Sequence, residues 1–178
     1  WHANVWYVDG LKISTERQAK GSVIQSFSFL DITISENRTA FQEYTKYLFR
    51  ITGQSIGTIR IQHMYVRELL RYLEGKNMAV SNIDTQIVKK YFNHLNTQNQ
   101  KPQSYNNKVH GILKFIDYLQ AKDLLRHFEM PLTYVLKKTY PVRNEIKGLD
   151  KKLELLEENL YLFPEDIRVM CVILIHTG

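Results

Sequence analysis

Residues 55–75 read SIGTIRIQHMYVRELLRYLEG, and this stretch decides the fold. Ile59, Val66, Leu69, Leu70 and Leu73 recur at helical spacing. Ser55 or Thr58 stands where a helix opens, and Gly75 where one stops. A one-sided helix must bury its stripe against neighbours, and the flanking sequence supplies them. Upstream, Phe41, Tyr44, Leu48 and Ile51 fall at i, i+3, i+7 and i+10 behind a polar Ser35-Glu36-Asn37 start, with Gly53 as the stop. Downstream, Asp84 is placed to cap a helix running to about 96 that buries Ile87, Val88, Tyr91, Phe92 and Leu95. After a polar loop containing Pro102, a fourth helix over 104–121 buries Tyr105, Val109, Ile112, Leu113, Ile116 and Leu119. Four such helices with short connections predict a mainly α, four-helix bundle over 37–125.

Residues 1–36 read differently, as strand and turn. Trp6-Tyr7-Val8 and Leu11-Lys12-Ile13 around Asp9-Gly10 predict a β-hairpin, because Asp-Gly readily takes the positive φ angles of a type I′ turn. A second run, 23–34, alternates Phe27, Phe29 and Asp31 with serines and reads as extended. On the other side, 126–148 reads as a basic linker punctuated by Pro131, Pro141 and Gly148. Two helical patterns follow over 149–178, one carrying Leu149, Leu153, Leu156 and Leu160, the other beginning after Pro164. The opening on Trp1 and the helix-stop position of Gly178 give the expectation of a piece of a longer protein, its last helices cut from their domain.

The hydrophobic fraction, 44 % of 178 residues, is enough for a buried core. The single cysteine, Cys171, excludes an internal disulfide and fits a reducing cytoplasm. The longest apolar run, 169–175, is too short to span a membrane, and no targeting leader is expected. Six histidines are scattered without metal-ligand spacing, and there is no phosphate-binding glycine loop or nucleophile elbow. Neither a metal nor a cofactor is therefore expected. The acid pairs Glu157-Glu158 and Glu165-Asp166 read as solvated helix faces.

The net charge of +6 is unevenly placed. Residues 38–140 hold sixteen Lys/Arg against seven Asp/Glu, whereas both flanks are slightly acidic. A cation-rich middle favours a polyanion, since binding releases counterions from phosphates. On the second helix Thr58 opens an outward side on which Arg60, Met64, Arg67 and Arg71 recur at i, i+4, i+7 and i+11. On the fourth, Gln103, Asn107, His110, Gly111, Lys114 and Tyr118 lie opposite Val109 and Ile116, with Lys101, Ser104 and Lys108 beside them. Such residues grip phosphates and read base edges, and Gly111 would let the helix backbone approach a groove. The competing reading is a solvated side with Glu68 and Glu74 as ion-pair partners. Tyr65 and Tyr72 read as packing residues.

These pieces resemble, in order, the core-binding, SAM-like domain of tyrosine recombinases of the phage-integrase family. The matching wording is Thr58 opening a helix that ends Leu69-Leu70-Arg71-Tyr72-Leu73, then Ile83-Asp84 before Ile87-Val88-Lys89-Lys90-Tyr91-Phe92. The Ser104-Tyr105-Asn106-Asn107-Lys108 start and the Phe115-Ile116-Asp117-Tyr118-Leu119 end are similar too. Pro164-Glu165-Asp166-Ile167-Arg168 through His176-Thr177-Gly178 resembles the opening of the family's catalytic domain, just before its first catalytic arginine.

The resemblance implies a DNA-integration and recombination protein that clamps duplex DNA and assembles as a tetramer on it. Its second and fourth helices would approach the major groove, and Lys137, Lys138 and Arg143 would run beside the backbone. The family's arginines, histidine-rich motif and nucleophilic tyrosine would lie beyond Gly178, so this chain is expected to bind DNA without cutting it. The rival expectation is a helical protein-interaction module, drawn from the apolar Leu153, Leu156, Val169, Val172 and Ile173.

Overall fold

The computed structural model describes residues 1–11, 13, 26–125, 135–137 and 149–177. The chain divides into two compact units, Trp1–Thr139 and Tyr140–Gly178.

The first unit is mainly helical: α1 (Ser35–Arg50), α2 (Ile56–Glu74), α3 (Thr85–Thr97) and α4 (Pro102–Ala121), with a small antiparallel sheet of β1 (Val5–Tyr7) and β2 (Ser26–Ser28). Helix α2 is the hub, with its most extensive contacts to α4 and α1. Ser55 caps it by accepting the Thr58 N–H at 3.2 Å, and Asp84 caps α3 by accepting the Ile87 N–H at 2.7 Å. Helix α4 opens two residues earlier than the spacing predicts, because Pro102 in the first turn forfeits only an N–H that has no helical acceptor there. The apolar stripes of α2 and α4 are buried as read, and so is that of α3 except for Ile87, which is half-buried. On the α1 side Ile51 is 72 % exposed, because α1 ends at Arg50.

Helix α1 has no side-chain cap of its own; the far end of α2 supplies one. The Glu74 carboxylate accepts the Thr33 N–H at 3.0 Å and the Ile34 N–H at 3.1 Å, placing a negative charge at the positive end of the α1 dipole. Asn37, fully buried, donates to Glu74 and to the Met78 carbonyl and accepts from the Val80 N–H at 2.7 Å. Burial raises the Glu74 pKa, but the bonds from Thr33, Asn37 and Ile34 outweigh it and hold the carboxyl below its ordinary value.

The first 36 residues depart from the sequence reading. Among the described residues no Asp-Gly hairpin forms. Val8–Leu11 is a 3-10 turn, and the partner of β1 is β2, in the register Val5↔Ser28, Trp6↔Phe27, Tyr7↔Ser26. The reason is tertiary. Trp6, Val8, Phe27, Phe29 and Ile32 are buried in the same core as Phe41 and Phe49, and that burial outweighs the local turn preference. These residues therefore lie in the same compact unit as the four helices. Ring centroids lie 4.6 Å apart for Trp6–Phe29, 4.9 Å for Phe29–Phe41 and 5.0 Å for Phe27–Phe49. His63 of α2 sits among these rings, 4.4 Å from Phe41. Burial, then the charges of Arg60 and Arg67, push its pKa down to about 3 against the opposing pull of Asp31.

In the second unit, α5 (Leu149–Glu158) and α6 (Glu165–Thr177) follow the predicted patterns. Val169, Met170, Val172, Ile173 and Leu174 of α6 are exposed. Among the described residues no helix is long and apolar enough to cross a membrane.

Candidate nucleic-acid interface

The arginine row of α2 is engaged by the N-terminal segment. Arg67 lays its guanidinium on Asp31 through two contacts of 2.8 Å, Nε to Oδ1 and Nη2 to Oδ1, with a third from Nε to Oδ2 at 2.9 Å. Arg71 Nε bonds the same carboxylate. Arg60 donates to the Ser26 carbonyl at 2.7 Å and lies over the Phe27 ring. Burial raises the Asp31 pKa, yet the bonds from Arg67 and Arg71 more than offset it and keep the carboxyl below its ordinary value. A forked guanidinium held by a carboxylate is already satisfied. Arg71 keeps more reach than Arg67, with 56 % of its side chain exposed against 29 %, and Arg60 is exposed as well. Thr58, exposed at the helix start, shares a 2.9 Å hydrogen bond with Ser55.

Helix α4 presents the opposite case. Lys101, Gln103, Ser104, Asn107, His110 and Lys114 are all exposed. Gln103, Asn107, His110 and Lys114 fall at i, i+4, i+7 and i+11, one stripe of the helix. Gln103 donates to the Asn107 side chain at 3.0 Å, which aligns two amides along that stripe. Among the described residues, Lys101 and Lys114 have no ion-pair partner.

Two expected members of this side have other work. Gly111 is buried, and a Cβ there would stand 2.6 Å from the Tyr65 ring, so the close approach it permits is that of α2 and not of a groove. Lys108, 15 % exposed, pairs with Glu68 at 2.7 Å and joins α4 to α2. Glu68 is an ion-pair partner, as in the competing reading, but for a lysine of α4. Glu74 is spent on α1. Tyr65 and Tyr72 are half-buried, Tyr72 lying 5.0 Å from Tyr91.

Of the expected linker, Lys137 is described. Its N–H donates to the Asn106 side chain at 2.9 Å, its carbonyl accepts from the same amide at 2.8 Å, and its ammonium lies over the Tyr105 ring. Lys137 is therefore fastened beside the start of α4. Lys138 and Arg143 lie outside the described residues. Asp31, which decides the state of the arginine row, carries no local signal in the sequence: its partners are 36 and 40 residues away.

Among the described residues, hollows flank α4. A volume of about 740 Å³ is lined by Tyr44, Tyr47, Ile51, Lys114, Tyr118 and Lys122. A more polar cleft of about 390 Å³ is lined by Arg71, Tyr72, Tyr91, His94, Gln98 and Lys108, with Glu68 and Leu95. Among the described residues no group of His, Cys, Asp and Glu is placed to hold a metal ion. No family model, curated protein or solved structure matches this chain.

Proposed function

We propose that the first unit is a duplex-DNA-binding domain of the SAM-like, core-binding kind used by tyrosine recombinases, serving DNA integration and recombination. The observation that carries this reading is the exposed stripe Gln103, Asn107, His110 and Lys114 on α4, bounded by Lys101 and fastened to α2 through Lys108–Glu68. Amides and an imidazole on one helix side match base-edge donors and acceptors, and lysines at its ends match phosphates. Lys137 and the exposed part of Arg71 extend the cationic margin. Arg60 and Arg67 support the contact helix from behind by holding residues 26–31 in place. In this reading the unit supplies DNA binding, and strand exchange and tetramer assembly are the work of the recombinase as a whole.

Fluorescence anisotropy of a short duplex across a salt series tests the proposal. With about four phosphate contacts, log affinity should fall against log salt with a slope of roughly −3 to −4. A slope near zero, or no binding at low salt, would overturn it.

A second reading applies to the second unit. The exposed apolar residues of α6 favour protein association. Concentration-dependent oligomers that vanish when Val169 and Val172 become Ser would support that reading; a monomer at all concentrations would remove it.

A further inference from the structure

The polar cleft between α2, α3 and α4 carries a feature that neither packing nor the proposed groove contact uses. Tyr91 lines it at 2 % exposure, and its hydroxyl is buried without a hydrogen-bond partner. A buried donor left unpaired costs on the order of 1–3 kcal/mol, and phenylalanine would fill the same space without that cost. Around it stand Arg71 with most of its side chain exposed, Lys108, His94 and Gln98. His94 stacks on Tyr72 at 5.6 Å and lies 3.5 Å from the Gln98 amide, so both side chains are arranged at the cleft's edge. The two cations come from different helices: Arg71 shares Asp31 with Arg67, and Lys108 pairs with Glu68. The lining thus holds two cations against one carboxylate, that of Glu68.

We propose that this cleft is a phosphate seat, in which Arg71 and Lys108 face the anion's charge and the Tyr91 hydroxyl donates to one of its oxygens. The inference rests on the DNA-binding reading for the phosphate's source, a diester of the duplex backbone; inorganic phosphate offers the same chemistry. The seat positions the duplex without reading its sequence.

The test uses the full chain and its Tyr91→Phe variant. Each is measured by duplex anisotropy and by thermal melting with inorganic phosphate at constant ionic strength. The variant should melt at or above the wild-type temperature without ligand, because it loses only an unpaired hydroxyl. It should bind duplex about tenfold more weakly, the worth of one hydrogen bond to a charged group. Duplexes carrying one neutral methylphosphonate should abolish the wild-type/variant difference at a single backbone position. Equal duplex affinity of the two proteins would overturn the seat while leaving the DNA reading intact. Stabilisation by inorganic phosphate in the wild type alone, with no duplex binding, would keep the seat and remove the DNA reading. No response to either ligand would overturn both.

Discussion

Arg67 on α2 and Lys114 on α4 are read from the sequence as the same kind of residue, a cation opposite an apolar stripe, yet their surroundings differ. Arg67 is clasped by a carboxylate 36 residues upstream, and its neighbours Arg60 and Arg71 hold the same segment. Lys114 stands exposed on a stripe of amides and an imidazole. Helix periodicity tells which side faces away from the helix's own core. It does not tell whether another part of the chain returns to cover that side. On the proposed reading Arg60 and Arg67 of α2 serve stability and the exposed stripe of α4 serves binding, and each assignment can be broken separately.

The largest expected effect concerns the inner edge of α2. His63 is buried neutral, its folded pKa depressed from 6.5 to about 3. The unfolded chain therefore takes up a proton that the folded chain refuses. Stability from this group is complete above pH 6.5 and declines as pH falls toward 3, by up to about 1.4 kcal/mol per pH unit. Asp31 and Glu74, whose pKa values are also lowered, add acid sensitivity only below their ordinary values of 3.8 and 4.5. Melting temperature should thus fall steadily between pH 6.5 and 4.5, and His63→Phe should flatten that fall; a flat wild-type profile would contradict the burial.

Next comes the clasp itself. Arg67→Ala leaves Asp31 with Arg71 alone and should cost about 2 kcal/mol in urea unfolding, with duplex affinity changed less than about twofold. Lost affinity at unchanged stability would reverse the comparison. Smaller again is Gly111→Ala. Its methyl group overlaps the Tyr65 ring, and overpacking of about 2 kcal/mol is offset by about 1 kcal/mol of helix propensity. A net loss near 1 kcal/mol, relieved in a Tyr65→Leu background, would place Gly111 at the helix crossing; unchanged stability but weaker DNA binding would return it to the groove.

Much of the helical structure was legible in the sequence because it depends on local signals. The stripe of α2, the caps Ser55 and Asp84 and the stop at Gly75 are each decided within a few residues. The N-terminal arrangement was not, since its strand pairing joins residues about twenty apart and is set by burial of Trp6, Phe27 and Phe29. For the candidate interface the same distinction holds. Exposure of Gln103, Asn107, His110 and Lys114 follows from helical phase. The capture of Arg67 by Asp31, of Lys108 by Glu68 and of Gly111 by Tyr65 are long-range contacts that phase cannot report.

The smallest effect on stability should accompany the largest on binding, and one measurement joins them. Lys101→Ala/Lys114→Ala and Arg60→Ala/Arg67→Ala are compared by duplex anisotropy across salt, with melting temperatures recorded on the same samples. The α4 pair should keep wild-type stability within about 0.5 kcal/mol and flatten the salt slope by about 2, while the α2 pair should melt lower and retain the slope. An α4 pair that binds like wild type would contradict the assignment of α4 as the DNA-binding side.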